Sequence, residues 1–392
     1  MSDIGSPWEV LRIFLKLGLT SFGGPIAHIG YYREEIVVRR RWIDDAAYTD
    51  LVALCQFLPG PASSQVAFSL GLIRAGYRGG VAAWIGFTLP SAILLTAFAY
   101  GAGTLGGPIG QGVIHGLKLV AVAIVAQAVW GMAHTLCPDR QRGSIACAAA
   151  VVILFGTSFA AQIGTIMIGG IAGFWLCRAS LPTSVGSLGA PVSRRVGLLA
   201  LTTFFALLAA LPAVSGISKG VELFDAFYRS GALVFGGGHV VLPLLSNAFV
   251  TTGWVSQDAF LAGYGAAQAV PGPLFTFAVY LGAVANISPG ALAGAALGLV
   301  GIFLPGILVL LGTLPFWDVF RRRVGAQAIM RGINAAVVGL LGAALYNPLW
   351  ISSVKSPADF AIALTGFTLL VAWRTPPLLV VILGALAGAA LA

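Results

Sequence analysis

Phe22-Gly23-Gly24, Trp42, Gln56 and Pro59-Gly60-Pro61 return about 210 residues later, in the same order, as Phe235-Gly236-Gly237, Trp254, Gln268 and Pro271-Gly272-Pro273. The register slips by only a residue or two, and Gly18 and Gly231 precede the two F-G-G runs at the same distance. The chain is therefore a duplication. Its most alike parts are Gly and Pro, residues that end helices, and they stand inside apolar sequence. That combination marks a transporter built from two repeats with interrupted membrane helices.

Composition supports the membrane reading independently. Hydrophobic residues make up 58% of the chain, charged residues only 9% and the mean hydropathy is +0.94, whereas a soluble chain is roughly 25% charged. Val81 to Gln111, Leu119 to Leu136, Gly143 to Cys177 and Val196 to Ile217 carry no charge, and most such runs reach the roughly 20 residues that span hydrocarbon. Phe360 to Ala372 is short unless it takes in its flanks. The fold class expected is all-α and polytopic. The net charge of +9 fits basic cytoplasmic loops, and no basic stretch is interleaved with aromatics for nucleic acid to stack on. Cys55, Cys137, Cys147 and Cys177 form no C-x-x-C pair and read as small apolar residues, so neither a disulfide frame nor a metal site is expected. Met1 to Glu9 lack a basic n-region and a cleavage site, which predicts no removable signal and a bacterial-type inner or plasma membrane. With no Walker A lysine motif, H-E-x-x-H or nucleophile elbow, an enzyme is excluded and no cofactor is expected.

The organisation expected is a first repeat over residues 1–180, a connecting span and linker over 181–221, and a second repeat over 222–392. In the first, a helix from Pro7 to Phe22 breaks at Gly23-Gly24-Pro25 and a charged loop runs from Arg33 to Asp45. Apolar stretches at Ala46 to Leu58 and Ala62 to Gly76 flank the first P-G-P as a re-entrant hairpin, tolerable at membrane depth where protein or a wet cavity covers it. Spans follow near 81–103, 113–136, 144–160, 161–178 and 196–215. The second repeat gives 222–250, 258–270, 274–287, 290–315, 328–347, 358–373 and 376–391. Arginine placement sets orientation: Arg33, Arg39, Arg40, Arg41, Arg74 and Arg78 flank the first F-G-G and P-G-P breaks. The matching second-half loops, Ser246 to Asp258 and Ala285 to Gly290, have no Lys or Arg, and the charge moves to Arg321, Arg322, Arg323 and Arg331. Under the positive-inside rule the two repeats lie in inverted orientation, with the N-terminus cytoplasmic.

A broken helix presents unpaired amides and the positive end of its dipole, a ready anion site. The helix after the first P-G-P opens with Ser63, Ser64 and Gln65, and the second keeps one hydroxyl, Thr276, at the Ser64 position. These hydroxyls either bind an anion or cap their own helices. Gln56 and Gln268, three residues before each P-G-P, need partners at membrane depth, either substrate or broken backbone. Gly23, Gly24, Gly236 and Gly237 read as backbone access, in a nest of N–H groups, and Gly18 and Gly231 as close packing. Lys16 and Arg229 occupy equivalent repeat positions, and two cations facing one cavity would suit a divalent anion; as snorkelling anchors they would have no such role. His115 and Arg331 also correspond. His239, directly after Gly236-Gly237-Gly238, is a candidate for proton coupling or a structural histidine.

F-x-K-L-G-x-x-S-F-G-G-P (Phe14 to Pro25), the W-I-D-D loop at Trp42, Q-F-L-P-G-P (Gln56 to Pro61), S-G-A-L-V-F-G-G-G-H-V-V-L-P (Ser230 to Pro243) and Q-A-V-P-G-P (Gln268 to Pro273) resemble the chromate ion transporter (ChrA, CHR) family in its long two-domain form. The resemblance covers nearly the whole chain. It implies a transporter that uses the proton motive force to export chromate and confer chromate resistance. It carries over to Gly23, Gly24, Pro59, Gly60, Pro61, Gly236, Gly237, Pro271, Gly272 and Pro273, without assigning individual ligands. Sulfate is a tetrahedral dianion of similar size, so another oxyanion and an oxyanion channel stay as alternatives. The partners expected are the oxyanion and the lipid bilayer; a homodimer is left open, and no nucleic acid is expected.

Overall fold

The computed structural model describes residues 5–22, 24–102, 107–156, 159–177, 192–235, 238–287, 289–317 and 323–391, and its regular structure is helical throughout. The first helix, α1 (Pro7–Thr20), starts where Ser6 accepts the Trp8 N–H at 3.2 Å and Pro7 supplies a preset φ. Its buried residues Val10, Ile13, Phe14, Leu17 and Gly18 recur at helical spacing and pack against α4 (Ala62–Ala102). Gly18 makes the approach close, because a Cβ there would lie 2.7 Å from the Gly86 carbonyl and 2.8 Å from that of Phe87. The second repeat builds the same contact. In α9 (Lys219–Ala232), capped by Ser218, a Cβ on Gly231 would lie 2.3 Å from the Ile302 carbonyl of α13 (Ala291–Thr313).

Helix α2 (Gly24–Tyr32) begins at a positive φ of 77° on Gly24 and runs on as π-helix over Arg33–Arg39. The charged loop expected from Arg33 is thus helical as far as Arg39. Glu35 explains it: this nearly buried carboxylate meets Arg40 Nε at 2.9 Å, Arg39 Nη1 at 3.6 Å and Lys16 Nζ at 3.9 Å, so the charges pair across the turn instead of dispersing into solvent. Asp44 then caps α3 (Asp45–Phe57), accepting from Ala47 N–H at 2.8 Å.

After Pro59-Gly60-Pro61, α4 reverses at Ala75 (φ −143°, ψ 29°) and Gly76 (φ 64°, ψ −162°). Its limbs, 62–74 and 77–102, press together at Gly71 and Gly79, where a Cβ on either would come within 2.3 Å of the other's carbonyl oxygen. In the second repeat, α10 (Val241–Phe249), α11 (Gln257–Ala269) and α12 (Phe277–Val284) precede α13. The span expected over 222–250 is divided, with α9 ending at Ala232 and α10 starting at Val241.

The remaining helices interlock the halves. The long α5 (Gly107–Leu136) packs against α15 (Pro357–Val371) and α16 (Pro377–Ala390), while α14 (Val324–Ala344) packs against α6 (Arg140–Phe155) and α7 (Phe159–Leu176). Small residues allow both seams: a Cβ on Gly116 would lie 2.1 Å from the Gly384 carbonyl, and one on Gly332 2.1 Å from that of Gly169. Each half thus covers its long helix with the last two helices of the other. The connecting helix, α8 (Arg194–Val214), lies on α9 and α13. Among the described residues five helices are long and apolar enough to cross a membrane: Ala62–Gly101, Gly107–Leu136, Arg194–Ile217, Ala291–Phe316 and Val324–Ser353. The first contains the reversal, and its limb 77–102 alone still measures about 39 Å at 1.5 Å per residue. The protein is a multi-pass membrane protein.

Candidate functional site

The two P-G-P turns dock across the repeats. The Gly60 N–H donates to the Val234 carbonyl at 2.7 Å, and the Gly272 N–H donates to the Ser21 carbonyl at 3.0 Å. Ser21 and Val234 each directly precede a Phe-Gly-Gly run, so each turn closes on the end of the other repeat's first helix. Both glycines need the absence of a side chain. Their φ values are 110° and 105°, and a Cβ would lie 2.8 Å from Gly306 Cα for Gly60 and 2.9 Å from Ser91 Oγ for Gly272. The residues that directly follow the two F-G-G runs meet each other: a Cβ on Gly238 would stand 3.3 Å from Pro25 Cγ and 3.7 Å from a Leu274 methyl. Gly23, Gly236 and Gly237 lie outside the described residues.

This docking occupies the main-chain donors of the turns themselves. Gly60 and Gly272 spend their N–H groups between repeats, and Pro59, Pro61, Pro271 and Pro273 have none. What remains is the first helical turn after each P-G-P, whose leading N–H groups have no intrahelical acceptor. In the first repeat Ser63, Ser64 and Gln65 are all buried there, and the Ser64 hydroxyl has no hydrogen-bond partner. Gln65 Nε2 donates to Pro59 O and Gly306 O, both at 2.9 Å, tying the turn to α13. In the second repeat the chain enters α12 through a tight turn at Leu274–Thr276, and the Thr276 hydroxyl donates back to Pro273 O at 2.6 Å. Ser64 is open to a ligand; Thr276 is engaged in its own turn.

The other sequence candidates separate. Gln56 is exposed, whereas Gln268 is half-buried with its Nε2 unpartnered. One turn before Gln268 on α11, the Tyr264 hydroxyl lies 2.8 Å from His239 Nδ1. Lys16 does not meet Arg229. Its side chain is 64% exposed, on the face of α1 away from the buried stripe, and pairs with Glu35. Arg229 binds Asp225, one turn earlier on α9, through Nε at 3.0 Å and Nη2 at 2.5 Å. Equivalent positions in sequence therefore carry different partners. His115 Nε2 lies 2.7 Å from Asp359 Oδ1, and Arg331 Nη1 donates to Cys177 O at 3.1 Å, so both tie the long helices to the opposite half.

The sequence profile described as Chromate transporter matches residues 8–174 and 221–389, two segments that each carry one F-G-G and one P-G-P. The chain belongs to the chromate transporter family. It is 30% identical over 96% of its length to the Chromate transport protein of Pseudomonas aeruginosa, covering 89% of that protein. It is 26% identical over 97% of its length to the Probable chromate transport protein of Synechococcus elongatus, covering 94%. With the Chromate transport protein of Cupriavidus metallidurans the identity is 27% over 86% of this chain and 81% of the relative. No solved structure matches the chain. This member of a transporter family is not an enzyme.

Two residues of this transporter's junction escaped the sequence reading. Ser21 and His28 are both fully buried, and neither the Ser21 hydroxyl nor either ring nitrogen of His28 has a hydrogen-bond partner. The imidazole ring packs at a steep angle against Phe87, 5.1 Å between centroids. Nothing in Pro25-Ile26-Ala27-His28-Ile29 distinguishes such a histidine from a core filler; the signal could only have been a polar residue within two turns of a Gly-Gly break.

Proposed function

We propose that the protein is a secondary transporter that exports chromate from the cytoplasm, driven by the proton motive force, and binds the dianion where the two P-G-P turns dock. Family membership and the names of the relatives support chromate. The single observation that carries the site is the reciprocal pair of bonds from Gly60 to Val234 and from Gly272 to Ser21, which brings both helix breaks to one junction. There the first turn of α4 offers backbone amides, the Ser63 and Ser64 side chains and a dipole of the right sign for a doubly charged oxyanion. Gly24, with its positive φ, opens the neighbouring α2 beside that junction. The Tyr264 hydroxyl and His239 form a polar pair one turn from Gln268, in reach of a proton-coupling role for His239.

The inverted arrangement of the repeats belongs to the same proposal and rests on the arginine distribution: the arms that alternate access would rock about this junction. Everted membrane vesicles test the whole reading. Energised vesicles should accumulate chromate and lose it on adding a protonophore. Uptake that only follows the chromate gradient would instead make the protein a channel, and preference for sulfate over chromate would reassign the substrate.

A further inference from the structure

The two docking sites are built alike but lined differently. Ser21 O and Val234 O accept the two P-G-P glycines, which sets Ser21 equivalent to Val234 and, at the same offset, His28 equivalent to Val241. Ser91 and Gly306 stand opposite those glycines, which pairs Thr88 with Phe303. Where Gly272 docks, Ser21, His28 and Thr88 are buried and each has a polar side-chain atom without a partner. Where Gly60 docks, the equivalent residues Val234, Val241 and Phe303 have no polar side-chain atom to offer, and the unpartnered hydroxyl there is that of Ser64, in the turn that follows Gly60.

Unpartnered polar groups buried at membrane depth are costly and are kept where something arrives to pair with them. Ser21 and His28 stand together at the point where Gly272 docks, since Ser21 O holds its N–H and Phe87, which packs on His28, faces it through its carbonyl at 3.2 Å from the Cβ position. A serine hydroxyl donates one hydrogen bond and a neutral imidazole another. Such donors suit an oxyanion that must also leave, because they bind without the tight pairing a buried lysine or arginine would impose; Lys16 and Arg229 already have carboxylate partners.

We propose that the oxyanion is held on the first-repeat side of the junction, by neutral hydrogen-bond donors from Ser21 and His28, so that the site is one-sided in a molecule of duplicated build. The second repeat then supplies the P-G-P turn whose Gly272 binds the Ser21 carbonyl. The assignment rests on the transport reading above and sharpens it to named ligands.

The test is chromate binding to the purified full-length protein, read as stabilisation against thermal unfolding over a chromate titration, alongside the KM for chromate in proteoliposomes. Wild-type protein comes first: absence of chromate binding there would refute the chromate reading itself, and the same titration with sulfate would follow on the same variants. Given wild-type binding, Ser21→Ala and His28→Leu should each weaken affinity about tenfold or more, the loss expected for one hydrogen bond to a charged group. His28→Gln, which keeps a neutral donor, should recover part of it. Val241→Ala, at the repeat-mate of His28, removes no hydrogen-bond donor and should cost far less affinity than His28→Leu. If His28→Leu does not fold, Ser21→Ala decides the matter. A folded Ser21→Ala protein with wild-type affinity, or a folded His28→Leu protein with wild-type affinity, would overturn the proposal. Equal losses from Val241→Ala would overturn the one-sidedness.

Discussion

Replacing Gly60 by Ala tests the docking of the P-G-P turns with a magnitude that the geometry sets. At φ 110° an L-residue is strained by about 1–3 kcal/mol. The added methyl would also sit 2.8 Å from Gly306 Cα, a main-chain atom of α13 that no side-chain rotation can move; overpacking of that kind adds about 1–3 kcal/mol. The sum, about 2–6 kcal/mol, is a large share of the usual stability of a folded domain. Gly272→Ala carries the same φ strain, but its shortest contact is the Ser91 hydroxyl at 2.9 Å, a side-chain atom that can be removed. Gly60→Ala should therefore be the more damaging of the two, and Ser91→Ala should partly rescue Gly272→Ala while doing nothing for Gly60→Ala. Thermal unfolding of the purified proteins in detergent, followed by tryptophan fluorescence, ranks them. Wild-type stability in Gly60→Ala, or equal rescue of both variants by Ser91→Ala, would refute the docked geometry.

Further outcomes follow from the same contacts. In a background without the native cysteines, a cysteine near Arg40 should be protected from an impermeant thiol reagent in intact cells and one near Thr252 labelled; equal labelling would remove the inverted orientation. Arg229→Gln should destabilise the protein by about 1.5–3 kcal/mol, because it strands the buried Asp225 carboxylate, and adding Asp225→Asn should restore stability; a loss of chromate affinity that the double variant does not repair would make Arg229 a ligand. Lys16→Gln should retain transport, since Lys16 is exposed and pairs with Glu35; an inactive but well-expressed variant would put Lys16 back in the substrate path. Ser64→Ala should weaken chromate affinity about tenfold or more, and Thr276→Ala less, since only Thr276 donates within its own turn; the reverse order would contradict this assignment of the two helix starts.

The duplication was legible because Gly and Pro are punctuation: their backbone effects do not depend on tertiary context, so F-G-G and P-G-P marked helix ends close to where α1, α3 and α11 stop. The close packing of Gly18 and Gly231 was legible for a related reason, since a glycine kept at the same position in two copies of an apolar helix points to a neighbour's backbone. Charges were read less well. The density of Arg and Glu after Tyr32 resembles a loop, and only the ion pairs around Glu35 show why helix persists to Arg39. Lys16 and Arg229 look equivalent in sequence, yet one meets a carboxylate from another helix and the other a carboxylate on its own. The cross-repeat bonds at Val234 and Ser21 use carbonyl acceptors, which every residue has and no sequence marks. His28 was hidden for a similar reason: its importance lies in the partners it lacks.

The central claim is that the substrate anion sits at the first turn after Pro59-Gly60-Pro61. Its most direct test is the rate at which a small, permeant thiol reagent modifies Ser64→Cys, in protein without Cys55, Cys137, Cys147 and Cys177, as chromate is added. Occupancy of the site should slow the reaction saturably, at the same chromate concentration that half-saturates transport by that variant. A modification rate that does not change while the variant still transports chromate would place the anion elsewhere and contradict the account.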